Sequence, residues 1–420
     1  MKIGILTTFY NFDKSYSLCS VVESQLISLV KYGYSPVLFV HDNFTGEIPK
    51  GVEIRKVVPR FLLVDYSSNQ PVEKDFYEQV KKAKEALEKN FKDIDVVLTH
   101  DLIFQGWFLP YNVAMREANL KCKWLHWIHS APSPRPTNLQ TPHDCRYKTM
   151  PNSKLIYMNH YDVVRLAEMY GGYPDDVRVV YNPLDLRNFS NLHPFVSKLI
   201  DKYKLLNADI IDVYPVSSTR FDGKQVNRVI QILGELKKLG KSVRFICPNA
   251  HANAEREKRE VENLIHKGIE FGLTREEMIF TSLEDKEYEL GVPHEIVKDL
   301  FLLSNLFIFP TSSENCPLIL LEAAASKCLL VLNDSFPPLK DFFGENALYF
   351  RFGSMVENVN YQNEEQYFSD VAKIIISELN KNKPLNAFNK LKQKFNYDTI
   401  FREMLEPLFY EDVRPINNKS

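Results

Sequence analysis

Residues 306–333, LFIFPTSSENCPLILLEAAASKCLLVLN, constrain what this chain can fold into more than any other stretch. They read as strand, polar loop, helix, strand. The run 306–310 is short, apolar and closed by Pro310, which suits a strand buried on both faces. Thr311, Ser312, Ser313, Glu314 and Asn315 are too polar to continue in the same layer. Pro317 suits the first helical position, where a missing N–H costs nothing. Residues 318–325 continue as strong helix formers, and 329–333 give a second buried strand. Glu314 and Glu322 have seven residues between them. On one continuous helix they would stand about 80° apart, at ~100° per residue. The useful arrangement therefore has Glu314 in the loop at the strand's C-terminal end and Glu322 inside the helix. In an open α/β sheet that place, beside a free helix N-terminus, is where phosphorylated ligands bind.

Strand-like and helix-like segments alternate through almost the whole chain, which argues for parallel sheets with crossover helices. In the first half, strands are expected at 2–7, 36–40, 52–58, 96–100, 124–129, 155–159 and 177–181, with helices near 18–32, 73–91 and 161–170. Asn182, Pro183, Leu184 and Asp185 break the rhythm, and 186–206 is a connecting segment of helical character. The second half restarts with strands at 210–218, 243–248, 278–282, 306–310, 329–333 and 348–351. Its helices fall near 225–239, 254–271, 293–303, 317–326 and 364–379. A chain of 420 residues is too long for one ordinary core. The expected division is 1–185 for an N-terminal domain, 186–395 for a C-terminal domain, and 396–420 for a terminal helix and tail. The amphipathic piece 397–409 is a candidate to cross back onto the first domain, and the polar tail 417–420 is expected to be disordered.

Bulk properties exclude several classes. The chain is 45% hydrophobic and 25% charged with a mean hydropathy of −0.27, as in soluble globular proteins. A net charge of −2 provides no global attraction to nucleic acid or membrane, so any such contact must be local. The N-terminal apolar run is too short for a signal peptide, and no window reaches the ~18–20 apolar residues of a transmembrane helix. Cys19, Cys122, Cys145, Cys247, Cys316 and Cys328 show neither a C-x-x-C pair nor zinc spacing. They read as reduced thiols of a cytoplasmic protein.

The second domain opens with VSSTRFDGK, residues 216–224. A strand ends, a short polar loop presents Arg220 and Lys224, and a long helix begins. Two fixed cations at a strand's C-terminal end suit a diphosphate, with Arg binding bidentately and Lys acting as a point charge. In the first domain, KWLHWIHSAP (residues 123–132) alternates so that Leu125, Trp127 and His129 share one face while Trp124, His126 and Ile128 share the other. His129 then stands at the strand's end. A neighbouring strand, VVLTHD, ends in His100 and Asp101.

The glutamate pair after a strand ending in proline, together with Arg220 and Lys224 roughly ninety residues upstream, resembles the donor site of family-4 retaining glycosyltransferases. The resemblance implies the GT-B fold, two Rossmann-like α/β domains with parallel sheets facing a cleft. It implies a nucleotide diphosphate sugar, most simply UDP-linked, as co-substrate, with no prosthetic group and no metal. Arg220 and Lys224 would neutralise the donor diphosphate, Glu314 would hold hydroxyls of the transferred sugar, and Glu322 the ribose. The turn Asn315, Cys316, Pro317 and Leu318 would meet the diphosphate at the helix start. His129 would be the cleft histidine near the reacting carbon, and His100 and Asp101 would face the acceptor. Residues 246–249 and 280–283 lie where the family places the nucleotide and its base. The sole D-x-D, Asp93-Ile94-Asp95, reads as a turn before a strand.

The chain departs from the family pattern in three places. Thr8-Phe9-Tyr10-Asn11-Phe12 replaces a glycine-rich turn after the first strand, so either an acceptor or phosphate does not approach that backbone closely or the contact there is aromatic instead. Asn315-Cys316-Pro317 follows Glu314 in place of glycine and an aromatic, and Ser326-Lys327-Cys328 replaces the usual Gly-x-Pro turn. A further feature is local charge. Lys121, Lys123, Arg135, Arg146, Lys148, Lys154 and Arg165 face only two acids, Asp144 and Asp162, across 120–165, and 131–152 reads as a long loop with no element of its own. A basic loop on the acceptor side, Arg135 included, suggests an anionic acceptor: a membrane lipid, or DNA bearing hydroxymethylated bases as phage enzymes of this fold modify it. A glycan or lipid acceptor in surface polysaccharide synthesis, a UDP-sugar epimerase of the same fold, and a non-catalytic scaffold stay open as alternatives. The oligomeric state is not legible.

Overall fold

The computed structural model describes residues 1–13, 15–130, 134–314 and 317–413. The chain divides into two compact units, one of Met1–Leu184 with the segment from Phe395 onward, the other of Asp185–Lys394. Each is a parallel sheet wound with helices, so both are Rossmann-like α/β units. Among the described residues no helix is long and apolar enough to cross a membrane.

Among the described residues the first unit carries seven strands: β1 (Lys2–Leu6), β2 (Ser35–His41), β3 (Glu53–Val58), β4 (Val96–His100), β5 (Lys123–Trp127), β6 (Ser153–Tyr157) and β7 (Val177–Val179). Their order is β3-β2-β1-β4-β5-β6-β7, every pairing parallel. The order reverses between β1 and β4, so their C-terminal ends form the crevice where such sheets bind ligands. The two sheet faces carry separate cores. Trp124 and Ile128 join one, Leu125 and Trp127 the other, as alternation along β5 requires. The second face is covered partly by Ile400, Phe401, Leu405, Leu408 and Phe409 of the terminal segment. That segment is a bent helix of three parts, Tyr397–Thr399, a π-helical turn Ile400–Leu405, and Glu406–Tyr410. Lys123 caps it, its ammonium donating to the carbonyls of Leu408 and Glu411.

The second unit carries β8 (Ile210–Val213), β9 (Val216–Ser217), β10 (Val243–Cys247), β11 (Asn249–Ala250), β12 (Met278–Phe280), β13 (Leu306–Phe309), β14 (Leu329–Asn333) and β15 (Leu348–Phe350). Six form a parallel sheet in the order β12-β10-β8-β13-β14-β15, while β9 and β11 pair separately. The expected strand 210–218 is thus two pieces. Pro215 interrupts it and Pro248 interrupts its neighbour, each lacking the N–H that the ladder needs. The order reverses between β8 and β13. There the ladder is thin, and side chains complete it: Asp212 Oδ1 accepts from the Ile308 N–H at 2.8 Å, and Asn305 Oδ1 from the Ile211 N–H at 2.9 Å.

Other differences from the sequence reading have local causes. The helix Leu109–Glu117 went unread because it is buried almost all round and shows no polar face. Lys383–Lys394 is helical despite its proline, asparagines and many lysines. Pro317 caps the helix Leu318–Ala325 in an extended conformation, one residue before the first helical position expected for it. The stretch 131–152 is not a bare loop, since His143–Tyr147 forms a 3₁₀ helix. The tail 417–420 lies outside the described residues.

Candidate functional site

In the second unit, two loops leave the switch point at the C-terminal ends of the sheet. One follows β9 and carries Arg220 and Lys224; the other follows β13 and carries Glu314. They are tied together. Ser312 donates to the Gly223 carbonyl from its backbone N–H at 3.2 Å and its hydroxyl at 2.8 Å. Gln225 donates to the Pro310 carbonyl at 2.8 Å and the Gly353 carbonyl at 3.1 Å. Asn333 Nδ2 meets the Pro310, Thr311 and Gly353 carbonyls, the last at 2.6 Å. Gln225 and Asn333 are structural parts of the site that the sequence reading missed. Each is a carboxamide satisfying carbonyls from segments distant in the chain, which no local pattern announces.

Lys224 is 5% exposed, and its backbone carbonyl accepts from the buried Tyr214 hydroxyl at 2.9 Å. Its ammonium donates to Thr311 Oγ1 and the Ser313 carbonyl, each at 3.3 Å, and pairs with the Glu314 carboxylate. Burial lowers its pKa, Glu314 opposes that, and the like charge of Arg220 adds to it. Arg220 is exposed, and its guanidinium has no hydrogen bond or ion pair among the described residues. The structure thus brings together Arg220, Lys224 and Glu314: one free cation beside a buried cation held by one carboxylate. Glu322 sits inside the helix Leu318–Ala325, and its Oε1 meets His294 Nε2 at 2.8 Å. His294, the first residue of the helix His294–Leu303, is another neighbour the sequence did not reveal. Pro317 is buried and Leu318 exposed; Asn315 and Cys316 lie outside the described residues.

The segment 246–249 has a structural role. Asn249 Nδ2 donates to Ser218 Oγ at 3.0 Å and Ser282 Oγ at 2.8 Å, lashing three strand ends together. Beside Ser282 and Leu283 opens a pocket of about 340 Å³, bordered also by Ala252, Lys258 and Glu289.

In the first unit, His100, Asp101 and His129 converge at the ends of β4 and β5. β5 stops at Trp127, so His129 lies just beyond the strand. Its N–H donates to Asp101 Oδ1 at 2.8 Å, and Gln105 Nε2 donates to Asp101 Oδ2 at 3.1 Å. His129 Nε2 meets His100 Nδ1 at 2.9 Å, and His100 Nε2 meets Gln25 Oε1 at 3.0 Å. Asp101 adopts a left-handed φ of 57°, a region that aspartate enters more readily than most residues. Burial pushes the Asp101 carboxyl up and both imidazoles down, with His100 well below its ordinary value. A pocket of about 320 Å³ opens at the β1–β4 switch, lined by His100 and Asp101 and by Phe9, Tyr10, Tyr16 and Phe108. The aromatic character expected of 8–12 is present there.

Most cations of the basic stretch have partners within the fold. Arg146 is buried, donating to the carbonyls of Phe104 at 2.6 Å, Tyr66 at 3.1 Å and Ser67 at 3.2 Å. Lys123 caps the terminal helix as described, and buried Lys154 donates to the Asp175 carbonyl at 2.8 Å. Lys148 pairs with Asp144 and Arg165 with Asp162. Arg135 is exposed beside Gly171, not gathered with His100 and Asp101 in the hydrogen-bonded cluster. Most of these cations thus meet carbonyls or neighbouring carboxylates, while Lys121 and Arg135 are exposed. Asp93 of the D-x-D is paired with Lys2 and Arg55 at 2.7 Å, and Asp95 accepts from the Lys2 N–H at 2.7 Å.

No family model matches the chain, and no curated protein matches it. Among solved structures it is similar to a glycosyltransferase from Rickettsia africae ESF-5, at 15% identity over 98% of this chain and 99% of that one, with a TM-score of 0.36. It is similar to Anabaena Alr3699/HepE in complex with UDP and glucose at 16% identity, over 98% of this chain and 100% of that one, TM-score 0.33. Trehalose-6-phosphate synthase OtsA is similar at 11% identity over 98% and 100% of the two chains, TM-score 0.38.

Proposed function

We propose that the protein is a retaining glycosyltransferase that moves a sugar from a nucleotide diphosphate sugar, UDP-linked in the simplest case, to an acceptor hydroxyl. One observation carries the reading: Arg220, Lys224 and Glu314, distant in the chain, converge at the switch point of the second unit's sheet, with Glu322 on the helix that follows. That constellation provides cations for a diphosphate and carboxylates for sugar and ribose hydroxyls, each in a place suited to its task.

In this reading Arg220 and Lys224 hold the diphosphate as the bond from the anomeric carbon to its oxygen breaks. Charge on the departing phosphate is met by fixed cations, so no acid has to protonate it. Glu314, which holds Lys224 in the free protein, exchanges part of that contact for sugar hydroxyls when the diphosphate takes the ammonium. Glu322 turns from His294 to the ribose. The acceptor binds the first unit beside His129. Its oxygen bonds to the anomeric carbon on the face the diphosphate leaves, and its proton passes to the departing phosphate oxygen. The products are the glycoside and the nucleoside diphosphate.

The test is a panel of UDP- and GDP-sugars scored first for thermal stabilisation and then for transfer. A donor at a hundred times its Kd stabilises by about 2.7 kcal/mol. Lys224→Ala, Arg220→Ala and Glu314→Ala should each lower transfer on the order of 10²-fold while the protein stays folded. No stabilisation by any nucleotide sugar, or variants with full transfer, would sink the proposal. Acceptor-independent conversion of the UDP-sugar to its epimer would favour the epimerase instead.

A further inference from the structure

The hydrogen-bond chain from Gln25 through His100 to His129 determines which proton each imidazole carries. Gln25 projects from the helix Ser17–Lys31 and is buried. With the Gln25 carboxamide presenting Oε1, an acceptor only, the His100 Nε2 that it meets at 3.0 Å carries the proton. A neutral imidazole has one N–H, which leaves His100 Nδ1 as a lone pair. That lone pair meets His129 Nε2 at 2.9 Å, so His129 carries its proton on Nε2 and is left with a lone pair on Nδ1. No described residue bonds to this Nδ1. The two ring planes lie within 28° of each other with centroids 5.2 Å apart, the side-by-side arrangement of an in-plane N–H···N bond, and His100 also lies against Trp127 at 5.4 Å. The backbone N–H of His129 is meanwhile held by Asp101 Oδ1 at 2.8 Å.

We infer that Gln25 and His100 are positioning residues: together they fix His129 as a neutral imidazole whose outward nitrogen accepts a hydrogen bond from a ligand hydroxyl. The inference rests on reading His129 as a substrate-facing group, but its chemistry is set by Gln25, a residue remote in sequence. Reversing one carboxamide would reverse the whole chain. Nε2 of Gln25 would donate to His100, His100 to His129, and His129 would present an N–H outward. The side chain of Gln25 thereby decides whether the site recognises a donor or an acceptor.

Nitrogen NMR of the full-length protein labelled at histidine reads this directly. The expected spectrum has His129 and His100 both protonated at Nε2 and unprotonated at Nδ1. Protonation of His129 at Nδ1 would overturn the inference, whatever the activity. Gln25→Leu should mix the tautomers at His129, while Gln25→Glu, which keeps an acceptor oxygen, should restore the Nε2 form. If Gln25→Leu does not fold, the wild-type spectrum alone decides. With any nucleotide sugar that the wild type turns over, Gln25→Leu should lower kcat about tenfold, the worth of roughly one hydrogen bond, with the donor's KM unchanged, and Gln25→Glu should recover most of it. The expected tautomers in a protein that turns over no nucleotide sugar would sustain this inference and defeat the proposed function, so the two failures are distinguishable.

Discussion

His126 is fully buried on β5, and burial pulls its imidazole down to about 3. Nδ1 meets Thr99 Oγ1 at 2.7 Å and Nε2 has no partner. In the unfolded chain the ring takes a proton near 6.5, whereas in the folded protein it stays neutral until about 3. The unfolded state therefore binds the extra proton across that window. Stability from this group is full above 6.5, falls as the pH drops, and stops falling below about 3. The slope of one such group is about 1.4 kcal/mol per pH unit. His100 and His129 act in the same direction. Urea denaturation of His126→Gln at pH 7.5 and pH 5 should show a smaller loss across the interval than wild type; an equal loss would mean that His126 is not kept neutral by the fold. Arg146 and Arg135 make a second contrast at this scale. Arg146→Ala removes three hydrogen bonds to buried or half-buried carbonyls and should cost about 3 kcal/mol in denaturation experiments. Exposed Arg135→Glu should change stability by less than about 0.5 kcal/mol.

Among the strands, the junction of β8 and β13 tests how far a side chain substitutes for a backbone ladder. Asp212 is fully buried, its Oδ2 has no partner, and burial raises its carboxyl well above the ordinary carboxylate range. A neutral carboxyl whose useful atom is the acceptor for Ile308 is close to an asparagine. Asp212→Asn should therefore cost less than about 1 kcal/mol, while Asp212→Ala, which orphans the Ile308 N–H, should cost about 2–3 kcal/mol. Equal losses in the two variants would show that the Ile308 bond contributes nothing. Strand and helix positions were largely legible because apolar periodicity is local: β4 and β14 coincide with their expected spans. Failures came where burial erased the period, as in Leu109–Glu117, or where prolines cut a run that hydrophobicity alone left whole, as at Pro215.

At the scale of the whole molecule, the proposed division of labour has a spatial signature. Hydrogen exchange with and without UDP should show protection in 218–225 and 311–322 of the second unit, and none in 7–13 of the first. Protection confined to the first unit would reverse the assignment of donor and acceptor. The alternation of elements that gives two parallel sheets was determined by the sequence by itself, since it follows from neighbours in the chain. Only the tertiary structure decided which cations are available. Lys224 meets Glu314, Arg146 bonds carbonyls of distant segments, and Arg220 is exposed with no hydrogen bond or ion pair among the described residues. It likewise decided that His129 meets His100 and, through it, Gln25. The physical reason is common to all of these: a charge or a proton is placed by the partners that burial brings to it, and those partners lie far away along the chain.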